Sequence, residues 1–539
     1  MKIYKIAVVP ADGIGPEITR EGVEVMDVLG QIRGYSFEFR YGKMGGPAFD
    51  VATAGMTAEQ KKAIDDWSDE EKTKLTLPQE TLDLMDWARD NKGAIVFGSV
   101  GRSDLPKRTA ELSLLAMRAR YNVNNNRPMI IDPILAHNST LFRNPVSVSG
   151  FEIVSPDESM FNPLQGDKGS YVSPDGSHAW TMKPFTRSRL EKTVTEAFEK
   201  AKATGKMIMC ASKYNVLISE KMLSEVFDEV AMQYAGQVTL NPATNWDKNK
   251  KPTGQLIIDN AGMQIASNPE KYANTIVVAD AMFGDFLQTI VDVVSGSVPV
   301  NKAALQDIKE NGLYRTCIRE LCSGLYFGKR LAGKDFCYDT NFYDRKTIED
   351  LAIVARRAGK QLFGKEDLDS LEIDGIPTYA FWGRVLDEDS RAKGYNLRHN
   401  NIRQSVARLL TDPASLNTVV ACNMVGDIKS DLAGAVVGKS LGLLPSSSEN
   451  ADGFGIYEQI AGTAPDIAGQ NIANPIAQIR SCAMLIENLG DREGAQMINK
   501  AITKALGVVR TKDIWEPGYK LVSTSEMGDA ICHYIRGAA

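Results

Sequence analysis

The chain has 539 residues and a mass of 59.0 kDa, too long for one compact core, and this length predicts about three units of ordinary domain size. Hydrophobic residues make up 43% and charged residues 24%, and no apolar run is long enough to cross a bilayer, which argues against a membrane protein. The net charge of −6 comes without a long basic block, which argues against a nucleic-acid-binding protein and leaves small molecules as the expected partners.

The cysteines and histidines indicate the compartment and the kind of metal. No two of the seven cysteines form a CxxC pair, and the opening "MKIYKIAVV" is typical of a β-strand rather than a secretory leader. We therefore expect a cytoplasmic protein with reduced thiols. None of the four histidines lies at metal-ligand spacing from another histidine or a cysteine, so a bound metal should be a hard ion held by oxygen ligands.

The first part of the chain alternates short β-branched runs with amphipathic stretches. "KIAVVP", "YSFEFRYG" and "GAIVFGSV" are typical of strands, and "GPEITREGVEVMDVLGQI" is typical of a helix. This order predicts a mostly parallel α/β sheet. The stretch "ADGIGPEI" places Gly13, Gly15 and Pro16 between a strand and a helix, and by itself it is also compatible with an ordinary βα turn.

From about residue 150, two series of predicted elements follow in the same order. The first runs from a helix after Arg187 to "NTIVVADAMFGD", and the second runs from a helix after Arg345 to "NTVVACNMVGD", so that Asp285 matches Asp427. A period of this length is too long for a solenoid and indicates a duplicated domain, whose copies should pack about a pseudo-twofold axis in place of a homodimer. Chance similarity between two α/β segments is the alternative.

Several motifs occur in the order that one enzyme family shows. They are "ADGIGPEI", "GGPAFD", "LPQETLD", "GSVG", an arginine-rich helix with "NRP", "DIKSDLAG", "LGLLPSSS" and "GTAPDIAGQNIANP". Over nearly its whole length the chain therefore resembles the β-decarboxylating dehydrogenases, the isocitrate and isopropylmalate dehydrogenase family. The resemblance implies oxidation of a 2-hydroxy acid with NAD(P), a divalent metal and loss of CO₂.

The resemblance also implies an α/β fold like that of isopropylmalate dehydrogenase. Residues 1–140 and 436–539 should form a large, mostly parallel α/β domain that binds the cofactor. Residues 141–300 and 301–435 should be tandem copies of the smaller substrate and dimerisation domain, packed as a pseudo-dimer within one chain. We therefore expect a monomer for which an obligate homodimer is not required.

Members of this family build each active site across a dimer interface, and the first copy resembles one side of it. This copy keeps Lys213 in "SKYNV" and the acid Asp259. Ser155 and Asn162 stand where the other side's arginine and tyrosine are expected, and Thr289 replaces the second metal aspartate.

The second copy resembles the other side. It keeps the arginine, the tyrosine and both metal aspartates: Arg319, Tyr326, Asp427 and Asp431. Glu372 falls near the lysine position, and Arg403 falls at the position of the third acid. Together the two copies imply one complete site and one inactive site per chain.

Asp427 and Asp431 are four residues apart, which places both carboxylates on one face of a helix. Mg²⁺ or Mn²⁺ bound by this pair and by Asp259 would relieve their repulsion. In isolation such a pair is also typical of a solvated acidic helix face. The resemblance further implies that Lys213 is the base for the substrate hydroxyl, with a pKa lowered by the metal and by burial, and that Tyr326 returns a proton to the enol carbon. An interfacial lysine and a core tyrosine are the alternatives.

Arg118, Arg127 and Arg319 are the expected clamp for the substrate carboxylates, since a guanidinium matches a carboxylate in two hydrogen bonds. The spacing from Arg118 to Arg127 is one residue shorter than the family pattern, so Arg120 is a further candidate.

The motif "ELSLLAMR" places Glu111, Leu114 and Leu115 before Arg118, as in the isopropylmalate branch. Because leucines cannot satisfy a buried carboxylate, we expect 3-isopropylmalate, a methylmalate-like acid or D-malate, with isocitrate as the alternative.

The stretch "GTAPDIAGQNIANP" resembles the family's adenosine-binding loop. Its expected cofactor contacts are Gly462, Thr463, Asp466, Ile467 and Asn474. Asp466 would accept hydrogen bonds from a ribose 2′-hydroxyl and repel a 2′-phosphate, which favours NAD over NADP. Ala461 stands where the family usually has histidine, which removes one adenine contact. A non-catalytic or regulatory relative remains the alternative to an enzyme, although losses in such a relative should be scattered rather than complementary.

Overall fold

The computed structural model describes residues 2–106, 109–156, 169–244, 253–438 and 440–538, except for the side chain of Glu111. The chain divides into two compact units, unit 1 (Met1–Ile134 and Lys439–Ala539) and unit 2 (Leu135–Gly438). Both units are mixed α/β. No helix within the described ranges combines the length and the apolar character that crossing a membrane requires.

Helices and strands alternate along much of the chain. The first segment of unit 1 contains β1 (Lys2–Ala11), α1 (Gly15–Arg33), β2 (Tyr35–Tyr41), α2 (Gly46–Ala52), α3 (Ala58–Ala63), α4 (Asp69–Thr76), α5 (Gln79–Asp90), β3 (Ala94–Ser99), α6 (Thr109–Tyr121) and β4 (Asn124–Ile131). Unit 2 contains β5 (Glu152–Val154), β6 (Ser170–Val172), β7 (His178–Thr186), α7 (Arg187–Thr204), β8 (Met207–Ser212), α8 (Ile218–Gln233), β9 (Gln255–Ile257), α9 (Ile258–Ser267), β10 (Thr275–Val278), α10 (Ala281–Val294), α11 (Lys302–Asn311), β11 (Leu313–Arg319), β12 (Arg330–Ala332), β13 (Phe336–Asp344), α12 (Arg345–Phe363), β14 (Leu368–Glu372), α13 (Pro377–Lys393), β15 (Leu397–Asn401), α14 (Ile402–Thr411), β16 (Thr418–Ala421) and α15 (Asn423–Val437). Unit 1 resumes with β17 (Pro445–Glu449), β18 (Gly455–Gln459), α16 (Ile476–Asn488), α17 (Arg492–Leu506), β19 (Val509–Arg510), β20 (Lys520–Leu521) and α18 (Thr524–Arg536).

The sheet of unit 1 is largely parallel, as the alternating pattern predicts. β1 pairs in parallel with β2 and β3, and β3 pairs in parallel with β18. β17 is antiparallel to both β18 and β4. The middle of β1, from Ile6 to Val9, is fully buried, because helices cover both faces of such a sheet and its strands become continuous apolar runs.

Unit 2 contains two series of elements with the same order and the same sheet topology. We call β5 to α10 the first copy and β11 to α15 the second copy. The first copy has the parallel strand order β5-β10-β8-β9, and the second has the matching order β11-β16-β14-β15. The domain duplication is therefore present in the fold. Its predicted boundary at residue 300 stays a prediction.

The copies meet in an antiparallel ribbon with the strand order β6-β7-β13-β12. His178 pairs with Asp344 and Thr186 pairs with Phe336, so Met182 lies opposite Thr340 at the centre. Since β7 and β13 each lead into the first long helix of their copy, this register relates them by a local pseudo-twofold axis through the centre.

The arginine that starts each of these helices makes mirrored contacts in the other copy. The amide N–H of Arg187 donates to the carbonyl of Asp335 at 3.0 Å, and its Nε donates to the carbonyl of Lys334 at 3.2 Å. Arg345 makes the same two contacts with Ser177 and Gly176, at 2.8 and 3.0 Å. The ends of the ribbon are therefore fixed twice by the same interaction.

Because these contacts are mirrored, Arg187→Ala and Arg345→Ala should each lower the free energy of unfolding by about 1–2 kcal/mol and agree within about 1 kcal/mol. Urea unfolding followed by circular dichroism would measure the change. Lys192→Ala is the matched control on α7, since Lys192 is 71% exposed and lies 3.9 Å from its partner Glu196. A change confined to one of the two arginine variants would contradict the mirrored arrangement.

Candidate functional site

The site in unit 2 centres on Lys213, whose ammonium group lies between acids of the two copies. Nζ contacts Asp259 Oδ2 of the first copy and lies 3.0 Å from Asp427 Oδ2 of the second copy. The lysine side chain is 3% exposed, and the two acids are 12% and 17% exposed. A buried ammonium needs such partners, because an unpaired charge in this surrounding is strongly destabilising.

Each group of this site is placed by the end of a regular element. Lys213 directly follows β8, and Asp259 is the second residue of α9. Asp427 lies in the second turn of α15, and α15 packs against α9 across the boundary between the copies. The packing of one helix from each copy therefore brings the acids to the lysine.

Arg319 and Tyr326 complete the group around Asp427. Arg319 Nη1 contacts Asp427 Oδ1, and the Tyr326 hydroxyl donates to Asp427 Oδ2 at 3.4 Å. Asn423 Oδ1 accepts hydrogen bonds from Arg319 Nε at 2.9 Å and from Nη2 at 2.6 Å. The predicted residues Lys213, Tyr326, Arg319, Asp259 and Asp427 therefore converge.

The charges of this cluster control its pKa values. Burial alone lowers the pKa of Lys213, but Asp427, Tyr326 and Asp259 outweigh burial and hold that pKa well above its usual value. Burial raises the pKa of the Asp259 carboxyl, although Lys213 acts against it, and burial also raises the pKa of Tyr326. A lysine base needs the opposite shift, and a bound cation that neutralises the aspartates would lower the pKa of Lys213 in this way.

The oxygens around Lys213 fit a hard divalent cation. Asp259 Oδ1 is buried and accepts no hydrogen bond from the residues described. Asp431 lies one turn beyond Asp427 on α15. Burial lowers the pKa of Arg319, but Asp427, Tyr326 and Asp431 outweigh burial and raise that pKa above its usual value, so Asp431 acts on the same cluster. Within the described ranges, no three His, Cys, Asp or Glu side chains form a preformed metal cage. Lys213 itself lies between two of the carboxylates, so a metal would have to displace its ammonium.

The position related to the Lys213 site by the pseudo-twofold axis carries different groups. Arg403 Nη2 contacts Asp285 Oδ1, and the Thr289 hydroxyl donates to the carbonyl of Asp285 at 2.7 Å. This ion pair takes the place of the acids that meet at Lys213. Ser155 is described and half-buried, whereas Asn162 lies outside the described residues.

Strand pairing places Glu372 within two residues of the position that matches Lys213. Glu372 pairs with Asn401, the N-cap of α14, as Ser212 pairs with Ile257, the N-cap of α9. This pairing makes Glu372 the counterpart of Ser212. In the pairing with β16, Leu371 lies opposite Ala421 as Cys210 lies opposite Val278, which makes Glu372 the counterpart of Ala211 instead. The position of Lys213 therefore belongs to Ile373 or Asp374. The second copy still lacks the lysine.

The expected substrate residues of unit 1 lie on α6 and β4. Arg118 Nη2 donates to Glu458 Oε1 at 2.8 Å, whereas Arg120 pairs with Asp86 on the surface. Arg127 lies on β4 and is half-buried. Leu114 and Leu115 are half-buried on α6, and the side chain of Glu111 lies outside the described residues.

The loop expected to bind the cofactor packs against the "ADGIGPEI" turn within unit 1. The carbonyl of Thr463 accepts a hydrogen bond from the amide of Ile14 at 2.9 Å. Gly13 has φ +59°, and a Cβ there would lie 2.0 Å from this carbonyl oxygen, so the close approach requires glycine. Ile467 packs on the core formed by Ile14 and its neighbours.

The remaining loop residues differ in what they leave available. Gly462 and Asp466 are exposed, so their surfaces can contact a ligand. Asn474 accepts from the Ile476 amide at 3.0 Å and donates to Asp513 at 3.0 Å, so its side chain already holds the start of α16.

Three contributors were not predicted from the sequence. Asn423 holds Arg319, Glu458 holds Arg118, and Glu220 accepts from the amide N–H of Lys213 at 3.3 Å. Glu458 lies 340 residues from its partner, and no local pattern indicates such a contact.

Comparisons with known proteins agree with the motif order. The model of the isocitrate/isopropylmalate dehydrogenase family matches residues 5–70, 67–315 and 299–531. The 3-isopropylmalate dehydrogenase of Aliivibrio fischeri is 38% identical over 238 residues, which cover 42% of this chain and 64% of that protein. The enzyme of the same name from Salmonella typhimurium is 37% identical over the same coverage. The chain thus matches less than two-thirds of the length of these relatives.

Solved structures share the fold at low identity. The isocitrate dehydrogenase of Methylococcus capsulatus has a TM-score of 0.53 at 17% identity, covering 99% of both chains. A β-decarboxylating dehydrogenase of Thermococcus kodakarensis in its apo form has a TM-score of 0.53 at 19% identity, covering 99% of this chain and 96% of that one. At these identities the likeness shows the fold alone.

Glu320, next to Arg319, should make stability depend on pH. It is fully buried, its Oε2 accepts no hydrogen bond from the described residues, and burial raises its pKa to about 7. Because the folded-state pKa lies above the unfolded value, protonation of Glu320 stabilises the folded state. This contribution to the free energy of unfolding is fully present below about pH 4.5 and is lost as the pH rises through 7.

From about pH 6 to about pH 8, the wild type should lose about 1–2 kcal/mol more unfolding free energy than Glu320→Gln, whose amide does not titrate. Urea unfolding at both pH values would measure this, and all other groups are common to the two proteins. Equal pH profiles would show that Glu320 does not titrate in this range.

Proposed function

The chain belongs to the isocitrate/isopropylmalate dehydrogenase family, and we propose that it is an NAD-dependent dehydrogenase that oxidises and decarboxylates a 3-substituted malate-type 2-hydroxy acid. The substrate would be 3-isopropylmalate, a methylmalate-like acid or D-malate, and the metal would be Mg²⁺ or Mn²⁺. The contact of Lys213 with an acid from each copy carries this proposal, because it joins both halves of one site within a single chain.

The metal would be held by Asp259, Asp427 and Asp431, whose oxygens suit a hard cation. When bound, the metal would supply positive charge that stabilises negative charge on the substrate oxygens, and NAD would supply the acceptor for the hydride from C2. Asn423 fixes the orientation of the Arg319 guanidinium group through two hydrogen bonds. Arg319 would bind a substrate carboxylate in place of its present partner Asp427.

Two side chains would move protons in the reaction. Lys213, once its ammonium is neutralised, would accept the proton of the C2 hydroxyl as the hydride leaves. After CO₂ has left C3, Tyr326 would donate a proton to that carbon. The Tyr326 ring centroid lies 5.7 Å from Lys213 Nζ, so the two proton-transfer groups face the same space.

Residues of unit 1 would supply the remaining specificity. Arg118 and Arg127 would complete the set of arginines that bind the substrate carboxylates, and Glu111 lies nearby in sequence. Leu114 and Leu115 favour an apolar C3 substituent over a third carboxylate. Gly462, Thr463, Ile467 and Asn474 would line the adenosine loop, and the exposed Asp466 would favour NAD over NADP.

A panel of 2-hydroxy acids assayed for NADH formation with Mg²⁺ or Mn²⁺ tests this function. We expect turnover of a 3-alkylmalate or D-malate, loss of activity with EDTA, and a kcat/KM for isocitrate lower by about 100-fold or more because its third carboxylate would be buried against leucines. Asp431→Asn is the matched inactive control. A lack of NADH with every acid would favour the non-catalytic relative, and a preference for isocitrate would overturn the apolar pocket.

Two variants test whether the site is complete within one chain. Lys213→Ala and Asp431→Ala should each lower kcat by about 10³-fold, because each removes a group from the same site. A mixture of the two proteins, unfolded and refolded together, should stay inactive. Recovery of a substantial part of the wild-type rate would show that the site forms between chains.

A further inference from the structure

A fully buried group of charges lies behind Lys213 in the first copy. Lys183 on β7 has Nζ 2.6 Å from Glu220 Oε1 and 3.2 Å from Asp280 Oδ2, and all three side chains are 0% exposed. Apolar side chains of similar size would fill this space at less electrostatic cost. The cluster therefore calls for an explanation other than packing.

The cluster is joined directly to the backbone of the catalytic lysine. The second carboxylate oxygen of Glu220 accepts from the amide N–H of Lys213 at 3.3 Å. The Lys213 carbonyl in turn accepts from the amides of Val216 and Leu217, at 3.1 and 3.0 Å. Glu220 thus closes a turn that runs from Lys213 to the start of α8.

The second copy also binds the N-terminus of α8, through a residue of β13. Asp339 lies opposite Lys183 in the pairing of β13 with β7. Its Oδ2 accepts from the amide of Ser219 at 2.8 Å and from the Ser219 hydroxyl at 2.7 Å, and its Oδ1 accepts from the amide of Ile218 at 3.3 Å. These amides have no carbonyl partner within α8, so the other copy's acid caps the helix.

The mirrored positions of this arrangement are uncharged. They are Asn341 for Lys183, Tyr379 for Glu220, Cys422 for Asp280 and Thr181 for Asp339. Asn341 donates to Thr378 at 3.0 Å, and the Tyr379 hydroxyl lies 2.8 Å from Cys422 Sγ. The same fold is thus held without charges at these positions in the copy that has no counterpart of Lys213.

We propose that Lys183, Glu220 and Asp339 are positioning residues that hold the turn from Lys213 to α8 in place. We call these three residues the clamp. The clamp takes one strand residue from each copy and fixes the helix start that follows Lys213. The proposal rests on the proposed function, because the position of Lys213 affects turnover only if Lys213 is the base. None of the three clamp residues touches the reacting atoms.

The charge-balanced variant Lys183→Met/Glu220→Leu removes the contact with the Lys213 amide. It should lower kcat by about 10–100-fold, with KM for the hydroxy acid changed by less than about 3-fold, because a small displacement of the base affects turnover more than binding. Lys183→Met/Glu220→Gln keeps an acceptor oxygen for the Lys213 amide without placing the glutamine NH₂ group against the Lys183 ammonium, and it should stay within about 3-fold of the wild-type kcat.

Hydrogen exchange measured by mass spectrometry gives a readout that does not depend on activity. Peptides covering residues 213–219 should exchange at least about 10-fold faster in the Glu220→Leu double variant. Asp339→Ala should give the same acceleration, and it decides the question if that double variant does not fold. Asp132→Asn, which breaks a buried ion pair with Arg480 in unit 1, is the matched control and should change neither kcat nor this exchange.

Faster exchange together with a lower kcat supports the clamp. Unchanged exchange in the folded Glu220→Leu double variant or in folded Asp339→Ala, or an unchanged kcat in the folded Glu220→Leu double variant of an active wild type, overturns it. If the wild type turns over none of the hydroxy acids, the proposed function fails, and the exchange rates alone decide whether the clamp holds the turn.

Discussion

The ammonium group of Lys213, buried between Asp259 and Asp427, is the interaction on which the arrangement of unit 2 depends. Its two acids come from different copies, so separating the copies would leave buried charges without partners. The packing of α9 on α15 and the ribbon of β7 and β13 keep these charges together. A site made in this way needs both copies, and both are supplied by one chain.

Having both copies in one chain also explains why they differ. In a homodimer each sequence position occurs on both sides of the axis, so every subunit has to carry both halves of the site. In this chain each position is encoded twice, and the halves can separate. Asp259 and Arg403 are equivalent residues of opposite charge. The equivalent of Lys183 in the second copy is the uncharged Asn341. The symmetry of the backbone is therefore kept while the symmetry of charge is lost.

Local patterns in the sequence were enough to predict several elements, among them β1, α1 and α7, and the acids of α15, because strand alternation and the spacing of Asp427 and Asp431 depend on neighbouring residues. The antiparallel ribbon between the copies was not predicted. The mirrored order of strands followed from the duplicated motifs. The residue that matches Lys213 in the second copy was predicted only approximately, because the short turn after β14 has no local signal and its register depends on the pairing of β14 with β15 and β16. The roles of Lys183 and Asp339 were not predicted either, since each depends on burial and on a partner far away in the chain.

If one chain forms one site from its two copies, each chain should bind one metal ion, and the stoichiometry of Mn²⁺ binding measures this number. Titration followed by electron paramagnetic resonance, on protein whose mass in solution is measured by sedimentation, would give the number of ions per chain. We predict one tightly bound Mn²⁺ per 59.0 kDa monomer, with binding lost in both Asp259→Asn and Asp431→Asn. Two equivalent ions per chain, or one ion whose binding survives Asp259→Asn, would contradict a site shared between the copies.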